Sequence, residues 1–374
     1  MTRRERLMAV FKGEPVDRVP IKLWRADPGQ ELLHPAYEPV YRLAIERSDL
    51  VAGANSPFDL LCGTRYKQLV GQGEVPTASK EWVDEVVTVH TPDGPLRRVY
   101  RKSTCKKPGY EMEYLLKQPE DIGKILSIPY EPYPFDPEPY LQKDKEIGDA
   151  GIVIYGLDHA MYGLQRLIGS ENFALWSLDC RDGLLEAIAV FAQRIREHVR
   201  GVFASGLRPV FGWVGPELCI PPLMSLRDFD EFVYQFDKPL GDLIHEGGGY
   251  VWVHCHGKMG PVLERFVEMG VDVLNPVEPP PMGDITLEEA FRRVGSRMAL
   301  EGNIETHELM TADPDRLVEL VHNALSSGSR DDRRLILCTS SSYLEDPNPT
   351  DRHIRNLLLY LEEGIRFAES CARP

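Results

Sequence analysis

The chain has 374 residues, 43% of them apolar, and its 58 acidic against 43 basic side chains give a formal net charge of −15. Such an acidic balance argues against nucleic acid as a partner, because phosphate binding requires a basic face. No run reaches the roughly 18 to 20 apolar residues that a membrane-spanning helix requires. The seven cysteines are odd in number and include no CxxC pair, so we expect reduced thiols and a cytoplasmic protein.

The N-terminal part of the chain contains two predicted strands and one predicted hairpin. The strands cover residues 19–24 and 49–52, and the hairpin pairs residues 82–90 with 96–101 across a Pro-Asp-Gly turn. We interpret the hairpin, at about residues 80–115, as an insertion into the domain. The proline-rich stretch 128–139 is predicted to be an extended connector.

From about residue 150 onward, short apolar runs alternate with long amphipathic runs, which is the pattern of βα units around a parallel sheet. Together with the two N-terminal strands, these runs predict an α/β fold, a single (β/α)8 TIM barrel over residues 1–374. Its active site is expected at the C-terminal ends of the strands. The later strands are 151–156, 208–213, 250–254, 271–275, 298–302 and 334–338. The helices are 183–204, 225–246, 260–269, 313–325 and 351–369.

The run His254-Cys255-His256-Gly257 ends a predicted strand and suggests a metal site. Side chains alternate across a strand, so His254 and His256 share one face, which at the end of a barrel strand looks into the mouth. Two imidazoles at this spacing can bind one zinc ion, with Cys338 at the end of the last strand as the natural third ligand. The alternative is that both histidines are hydrogen-bonding residues of a polar pocket and that Cys338 is a small core residue.

Acidic side chains also follow predicted strands. Glu217 and Glu278 are candidates for general acid and base, and Glu301 is a further candidate partner of the site. The alternative for each is a solvated loop carboxylate. Asp158 and His159 follow the strand that ends at residue 156 and are candidates for substrate binding. The sequence has none of the usual dinucleotide, P-loop or serine-hydrolase motifs.

Four segments resemble the uroporphyrinogen decarboxylase (URO-D) superfamily: Arg4–Pro20, Glu246–Gly257, Gly270–Glu278 and Leu300–Ile304. The resemblance implies a (β/α)8 barrel. It also implies one of two chemistries. One branch decarboxylates uroporphyrinogen in porphyrin biosynthesis without a metal, and the other moves methyl groups between corrinoid proteins and acceptors such as coenzyme M or tetrahydrofolate.

The decarboxylase motifs are only partly kept. Arg25 and Asp49 match two positions of that branch, where the resemblance implies that they bind a substrate carboxylate and a pyrrole NH. However, the serine of its Ser-Trp-Ala-Gly motif is Gly212 here, and the late Gly-His-Gly is replaced by Cys338-Thr-Ser-Ser341.

The methyltransferase branch has a zinc motif of His-x-Cys and a distant Cys, which resembles His254-x-His256 and Cys338. The resemblance therefore implies a zinc-dependent methyltransferase in which these three residues hold Zn²⁺, Glu217 or Glu278 manages the proton, and Arg25 positions an anionic group. It implies a small-molecule substrate, a corrinoid protein as partner, a thiol or folate acceptor, and a homodimer. The alternatives are a metal-free decarboxylase of uroporphyrinogen or a related tetrapyrrole, and a barrel that carries a corrinoid or porphyrin without catalysis.

Overall fold

The computed structural model describes residues 1–105, 107–328, 334–341, 344 and 346–371. Within these residues, seven parallel strands form one curled sheet in the order β1-β6-β7-β8-β9-β10-β11, and β2 to β5 form an antiparallel sheet. The parallel strands are β1 (Leu50–Ala54), β6 (Gly151–Gly156), β7 (Val210–Val214), β8 (Tyr250–His254), β9 (Val273–Asn275), β10 (Ala299–Ile304) and β11 (Leu335–Thr339). The antiparallel strands are β2 (Val70–Pro76), β3 (Trp82–Thr91), β4 (Gly94–Ser103) and β5 (Tyr110–Glu113).

Helices follow the parallel strands as the periodicity predicts, and the hydroxyls of Ser225 and Thr286 cap their helices by accepting from backbone amides. A π-helical turn, Asp230–Tyr234, interrupts the predicted helix 225–246. No helix among the described residues is long and apolar enough to span a membrane. The helices are α1 (Arg3–Lys12), α2 (Glu38–Arg47), α3 (Tyr66–Leu69), α4 (Asp121–Leu126), α5 (Glu138–Ile147), α6 (Ala160–Ile168), α7 (Ser170–Asp179), α8 (Arg181–Ala204), α9 (Leu226–Phe229), α10 (Gln235–Glu246), α11 (Leu263–Glu268), α12 (Leu287–Val294), α13 (Thr306–Thr311), α14 (Pro314–Gly328) and α15 (Asp351–Ser370).

Residues 19–24, the first predicted strand, bridge the two edges of the parallel sheet. Leu337 of β11 donates its amide to the Pro20 carbonyl at 2.9 Å and accepts from the Lys22 amide at 2.8 Å. On the other side, the Asp49 amide donates to the Ile21 carbonyl at 2.7 Å. Proline has no amide hydrogen to contribute to a ladder, which helps to explain why this segment is not a regular strand. The curled sheet and this segment make the fold TIM-barrel-like.

The interior of the sheet is filled in layers, as in a TIM barrel. Its lower layer is apolar: Leu7, Val10 and Phe11 of α1 pack in one cluster with inward-facing residues of the strands, among them Ile152 and Val273. Helix α1 therefore closes the N-terminal end of the sheet. Functional side chains must lie above this layer, towards the C-terminal ends of the strands.

The predicted hairpin corresponds to β3 and β4, which pair from Trp82 and Ser103 to Thr91 and Gly94. It is the centre of the larger antiparallel sheet, because β2 and β5 pair with its outer edges. The sequence therefore indicated the turn and the pairing of two strands but not the two flanking strands.

Asp49 lies immediately before β1, at the end of the sheet opposite to the mouth. Its fully buried carboxylate accepts hydrogen bonds from the guanidinium groups of Arg6 at 2.6 Å and Arg18 at 2.9 Å, and from the Ile21 amide at 2.8 Å. These contacts give Asp49 a structural role, and substrate binding by Asp49 stays a prediction. Through these hydrogen bonds, its carboxylate holds α1 and residues 19–24 against the start of β1.

We expect Asp49→Ala to lower the free energy of unfolding by about 3 to 5 kcal/mol, because two buried guanidinium groups would lose a shared carboxylate. Urea denaturation of wild type and variant measures this difference. Asp17→Ala is the matched control: Asp17 also pairs with Arg6, but its side chain is 33% exposed, so a smaller loss is expected. Equal unfolding of Asp49→Ala and wild type would contradict the structural role.

Candidate active site at the C-terminal ends of the strands

An imidazole–carboxylate pair lies at the mouth of the curled sheet. His256, two residues beyond β8, places its Nδ1 2.8 Å from Oε1 of Glu278, which follows β9. The Gly257 amide donates to the other oxygen of Glu278 at 2.7 Å. Because Glu278 is only 5% exposed, this geometry holds the imidazole ring in one orientation.

The two members of this pair favour their charged forms. Burial by itself lowers the pKa of His256, but the hydrogen bond and charge of Glu278 outweigh burial and raise it. Burial by itself raises the pKa of Glu278, but the hydrogen bonds from His256 and the Gly257 amide outweigh burial and lower it. Glu217 and Glu305 add negative charge near His256 and further favour its protonated form.

His254 is held by a second hydrogen-bond network below the pair. Its Nδ1 lies 2.6 Å from Oδ1 of Asn275, whose amide nitrogen donates to Glu301 at 2.9 Å. The fully buried Lys22 ammonium and the Trp252 indole also donate to Glu301, at 2.5 and 2.9 Å. Since the oxygen of Asn275 faces the ring, we assign the proton of His254 to Nδ1, which leaves Nε2 as an acceptor.

This environment keeps His254 neutral. Burial and the neighbouring charge of His256 lower the pKa of His254 to about 4. The imidazole rings of the two histidines are 4.5 Å apart and nearly perpendicular. The mouth therefore contains a neutral imidazole next to one that favours its protonated form, which is a suitable arrangement for moving a single proton.

Glu305, directly after β10, is a site residue that the sequence analysis did not select. It is 7% exposed; its Oε2 accepts from Ser340 at 3.4 Å, and its Oε1 has no hydrogen-bond partner among the described residues. Burial and repulsion from Glu278 raise the pKa of Glu305 to about 7. The rule that selected Glu217 and Glu278, an acid shortly after a predicted strand, would also have found it.

The raised pKa of Glu305 predicts a specific dependence of stability on pH. Because its pKa rises from 4.5 in the unfolded chain to about 7 in the folded one, the stabilisation is complete below 4.5 and lost as pH rises through 7. Between pH 5 and 8, we expect wild type to lose about 1 to 2 kcal/mol more stability than Glu305→Gln. Urea denaturation at both pH values checks this difference, and parallel profiles would contradict it.

The structure does not assemble the predicted zinc ligands. The Cys338 side chain is fully buried and hydrogen-bonds with Glu301 beside Lys22, whereas His256 is engaged with Glu278. Burial raises the pKa of the Cys338 thiol well above its usual value, which disfavours the thiolate that zinc requires. The described residues include no group of three or more His, Cys, Asp or Glu side chains placed to hold a metal ion. These donors do not fit the ion as arranged, and zinc stays a prediction.

The other residues predicted to bind substrate, His159, Asp158 and Arg25, lie in three different environments. Both nitrogens of buried His159 are used within the fold: Nε2 lies 2.9 Å from Asp237, and Nδ1 accepts from the Tyr162 amide at the start of α6. These contacts give His159 a role within the fold, and substrate binding by His159 stays a prediction. Asp158 is exposed and lines a cavity of about 490 Å³ near the mouth. Arg25 is exposed directly after the mouth residue Trp24, so both charged residues stay candidates for substrate binding.

Glu217, the other predicted acid, lies close enough to His256 to affect it electrostatically. Its carboxylate accepts from the Gly215 amide at 3.1 Å. Burial raises the pKa of Glu217, partly offset by its own backbone hydrogen bond and the charge of His256. Glu217 therefore belongs to the mouth, and within the described part of the chain no hydrogen bond joins its carboxylate to either histidine.

A cavity of about 330 Å³ is lined in part by two indole side chains that also contact His254. The indole ring of Trp252 is stacked on His254 with ring centres 5.9 Å apart, and the ring of Trp24 meets His254 edge-on at 5.4 Å. Both indoles line the cavity. A small molecule bound there would contact the same aromatic wall as His254.

Comparison with known proteins agrees with this architecture. A methyltransferase from Methanosarcina mazei matches with a TM-score of 0.61 and 16% sequence identity, covering 97% of this chain and 99% of its own. At this identity the likeness concerns the fold. Muconate lactonizing enzyme from Pseudomonas putida also matches, with 12% identity, a TM-score of 0.24 and coverage of 79% of this chain and 77% of its own, too weakly to support an argument.

A search of curated proteins gives no match. The model of the uroporphyrinogen decarboxylase (URO-D) family matches residues 168–349, which include β7 to β11 and both histidines of the mouth. This match agrees with the resemblance seen in the motifs: residues 168–349 of this chain are similar to the uroporphyrinogen decarboxylase (URO-D) family.

Proposed function

We propose that this chain is a methyltransferase that moves a methyl group between a small molecule and a corrinoid, thiol or folate. The observation that carries the proposal is the His256–Glu278 pair next to neutral His254 at the mouth. The likeness of fold to a methyltransferase over nearly the full chain supports it. The position of Asp49 at the opposite end of the sheet weighs against the decarboxylase alternative.

In this proposal, His256 supplies the proton that methyl transfer from oxygen or sulfur requires. As the bond between methyl carbon and leaving atom breaks, the methyl group passes to the acceptor and the leaving atom takes a proton from Nε2 of His256. In the reverse direction, from a methyl–cobalt donor to a thiol or hydroxyl, Nε2 of the neutral ring takes the proton that the acceptor loses. Glu278 holds the ring through Nδ1 and stabilises its charge before transfer. Such proton transfer by a positioned side chain typically contributes about 10² to 10⁴-fold in rate.

The test compares the two chemistries of the family on one preparation. The protein is incubated with methylcobalamin and either coenzyme M or tetrahydrofolate, and loss of the methyl–cobalt absorbance is followed. A parallel sample receives uroporphyrinogen III, and its porphyrin products are separated by carboxyl number. We expect methyl transfer without decarboxylation; decarboxylated porphyrins without methyl transfer would overturn the proposal.

A zinc cofactor, a corrinoid protein as partner and a homodimer are further parts of this proposal. For zinc, we expect Cys338→Ala to leave the metal content of the purified protein unchanged, because that thiol faces Glu301 and Lys22. Elemental analysis beside His256→Ala measures this. Equal loss of zinc from both variants would instead support the ligand set of His254, His256 and Cys338.

A further inference from the structure

The buried carboxylate of Glu301 is surrounded by hydrogen-bond donors. Its Oε1 accepts from the Lys22 ammonium at 2.5 Å and from the Asn275 side-chain nitrogen at 2.9 Å, and its Oε2 accepts from the Trp252 indole at 2.9 Å. The Cys338 thiol also hydrogen-bonds with this carboxylate. Since a carboxylate paired with an ammonium can only accept, all four partners in the described part of the chain act as donors.

These contacts leave the side chain of Asn275 one orientation. Asn275 is fully buried between Glu301 and His254. If its amide were turned around, its oxygen would lie against the Glu301 carboxylate, and two acceptors would face each other without a hydrogen between them. The NH2 group must therefore face Glu301, which places Oδ1 2.6 Å from Nδ1 of His254. An acceptor on that side requires the hydrogen of the neutral imidazole to lie on Nδ1.

The other ring nitrogen of His254 is open to the mouth. Nε2 makes no hydrogen bond within the described residues, yet it is not one of their inaccessible unpartnered atoms. The ring is partly exposed, and it is held between the indoles of Trp24 and Trp252. With the hydrogen on Nδ1, Nε2 presents a lone pair to a ligand; with the hydrogen on Nε2, the same position would present a donor. The tautomer therefore decides what kind of group His254 can bind.

We propose that the Lys22–Glu301 ion pair acts through Asn275 to fix His254 as a hydrogen-bond acceptor at Nε2. Lys22 keeps Glu301 a pure acceptor, Glu301 orients Asn275, and the oxygen of Asn275 selects the tautomer. Lys22, Glu301 and Asn275 are thus positioning residues that act through His254. Resting on the proposed function, His254 then accepts a hydrogen bond from the thiol or hydroxyl that receives the methyl group, while His256 takes its proton.

NMR of the imidazole nitrogens tests this proposal without any turnover. In protein labelled with nitrogen-15 histidine, the shifts and couplings of the ring nitrogens distinguish one that carries hydrogen from one with a lone pair. A chelator keeps metal away from Nε2, and the His254 signals are identified by their loss in His254→Gln. At neutral pH we expect an uncharged ring with hydrogen on Nδ1 alone, because the pKa of His254 is about 4. Hydrogen on Nε2 in wild type would overturn the proposal.

A double variant is expected to invert the tautomer. In Lys22→Met/Glu301→Gln, the Trp252 indole still needs an acceptor, so the glutamine oxygen should take the position of Oε2 and its NH2 group that of Oε1. That NH2 group would donate to Asn275, turn its amide around and move the hydrogen of His254 to Nε2. We expect the ratio of the two tautomers to change about tenfold or more, which corresponds to about one hydrogen bond. A folded double variant with hydrogen still on Nδ1 alone would overturn the proposal.

Trp252→Phe is the matched control, since it removes one hydrogen bond from Glu301 but leaves Lys22 and Asn275 in place. Its stability should fall while the hydrogen of His254 stays on Nδ1. An equal inversion in this variant would show that any disturbance of the buried contacts changes the tautomer, which would overturn the specific role of the ion pair.

Asn275→Ala decides the matter if the double variant does not fold. Loss of the Asn275 oxygen should populate both tautomers of His254, and hydrogen confined to Nδ1 in this variant would overturn the proposal. Because the tautomer is measured without methyl transfer, a negative transfer assay on protein with hydrogen on Nδ1 would refute the proposed function alone.

Discussion

His256→Gln is expected to slow methyl transfer by about 10² to 10⁴-fold while the protein stays folded. Glutamine retains a polar side chain but cannot carry the proton that the imidazole holds next to Glu278. The ring is partly exposed at the mouth, so its loss should leave the interior packing unchanged. Glu278→Gln should also lower the rate, because the ring would lose the charge that raises its pKa.

The chain offers a matched control for this prediction. His245, in the last turn of α10, lies 2.9 Å from Asp272 in the same kind of imidazole–carboxylate pair, and its pKa is also raised by that partner. This pair is at the opposite end of the sheet, before β9. His245→Gln should therefore leave the methyl-transfer rate nearly unchanged. Similar losses in His245→Gln and His256→Gln would show that the effect does not come from the mouth.

Lys22→Met is expected to lower the free energy of unfolding by about 3 to 5 kcal/mol. Lys22 and Glu301 are both essentially inaccessible to solvent and pair at 2.5 Å. Burial alone favours the neutral amine, but the charge of Glu301 outweighs it and raises the pKa of Lys22. Removing the ammonium would leave the carboxylate buried with uncharged partners, Asn275, Trp252 and the Cys338 thiol.

The double variant Lys22→Met/Glu301→Gln separates charge from packing. If the cost comes from an uncompensated carboxylate, the double variant should recover part of the stability lost in Lys22→Met. Urea denaturation of wild type, both single variants and the double variant gives the coupling between the two residues. A double variant that is less stable than either single variant, with additive losses, would contradict a coupled ion pair.

The order of strands could be predicted from the sequence, because apolar runs and amphipathic runs alternate along most of the chain. Strand ends were less predictable: β9 begins at Val273, two residues later than the predicted strand. Residues 19–24 lie where the eighth strand was expected, but two hydrogen bonds to Leu337 on one side and one from Asp49 on the other hold them instead of a full ladder.

The sequence predicted which face of the strand the two histidines occupy, but not how far along the barrel axis each site residue lies. Alternation correctly put His254 and His256 on one face, since both rings meet at the mouth. Alternation gives no height along the barrel axis, so it could not show that Cys338 lies beside Glu301 in the interior. The pairing of His256 with Glu278 depends on the register of β8 against β9, which the sequence pattern does not specify.

The location of Asp49, away from the mouth, has a simple physical origin. Asp49 precedes a strand, and in a parallel sheet residues before strands lie at the end opposite to the mouth. Glu278 and Glu305 follow strands and lie at the mouth. Position relative to the strand was therefore a better guide to the active site than similarity to a motif at this residue.

The most direct test of the central claim is transfer of an isotopically labelled methyl group from methylcobalamin, detected in the product by NMR. Coenzyme M, tetrahydrofolate and phenol serve as acceptors, each with wild type and with His256→Gln. The account predicts a labelled product with at least one acceptor for wild type and its near absence for the variant. No labelled product with any acceptor, or equal amounts from both proteins, would contradict methyl transfer at the His256–Glu278 pair.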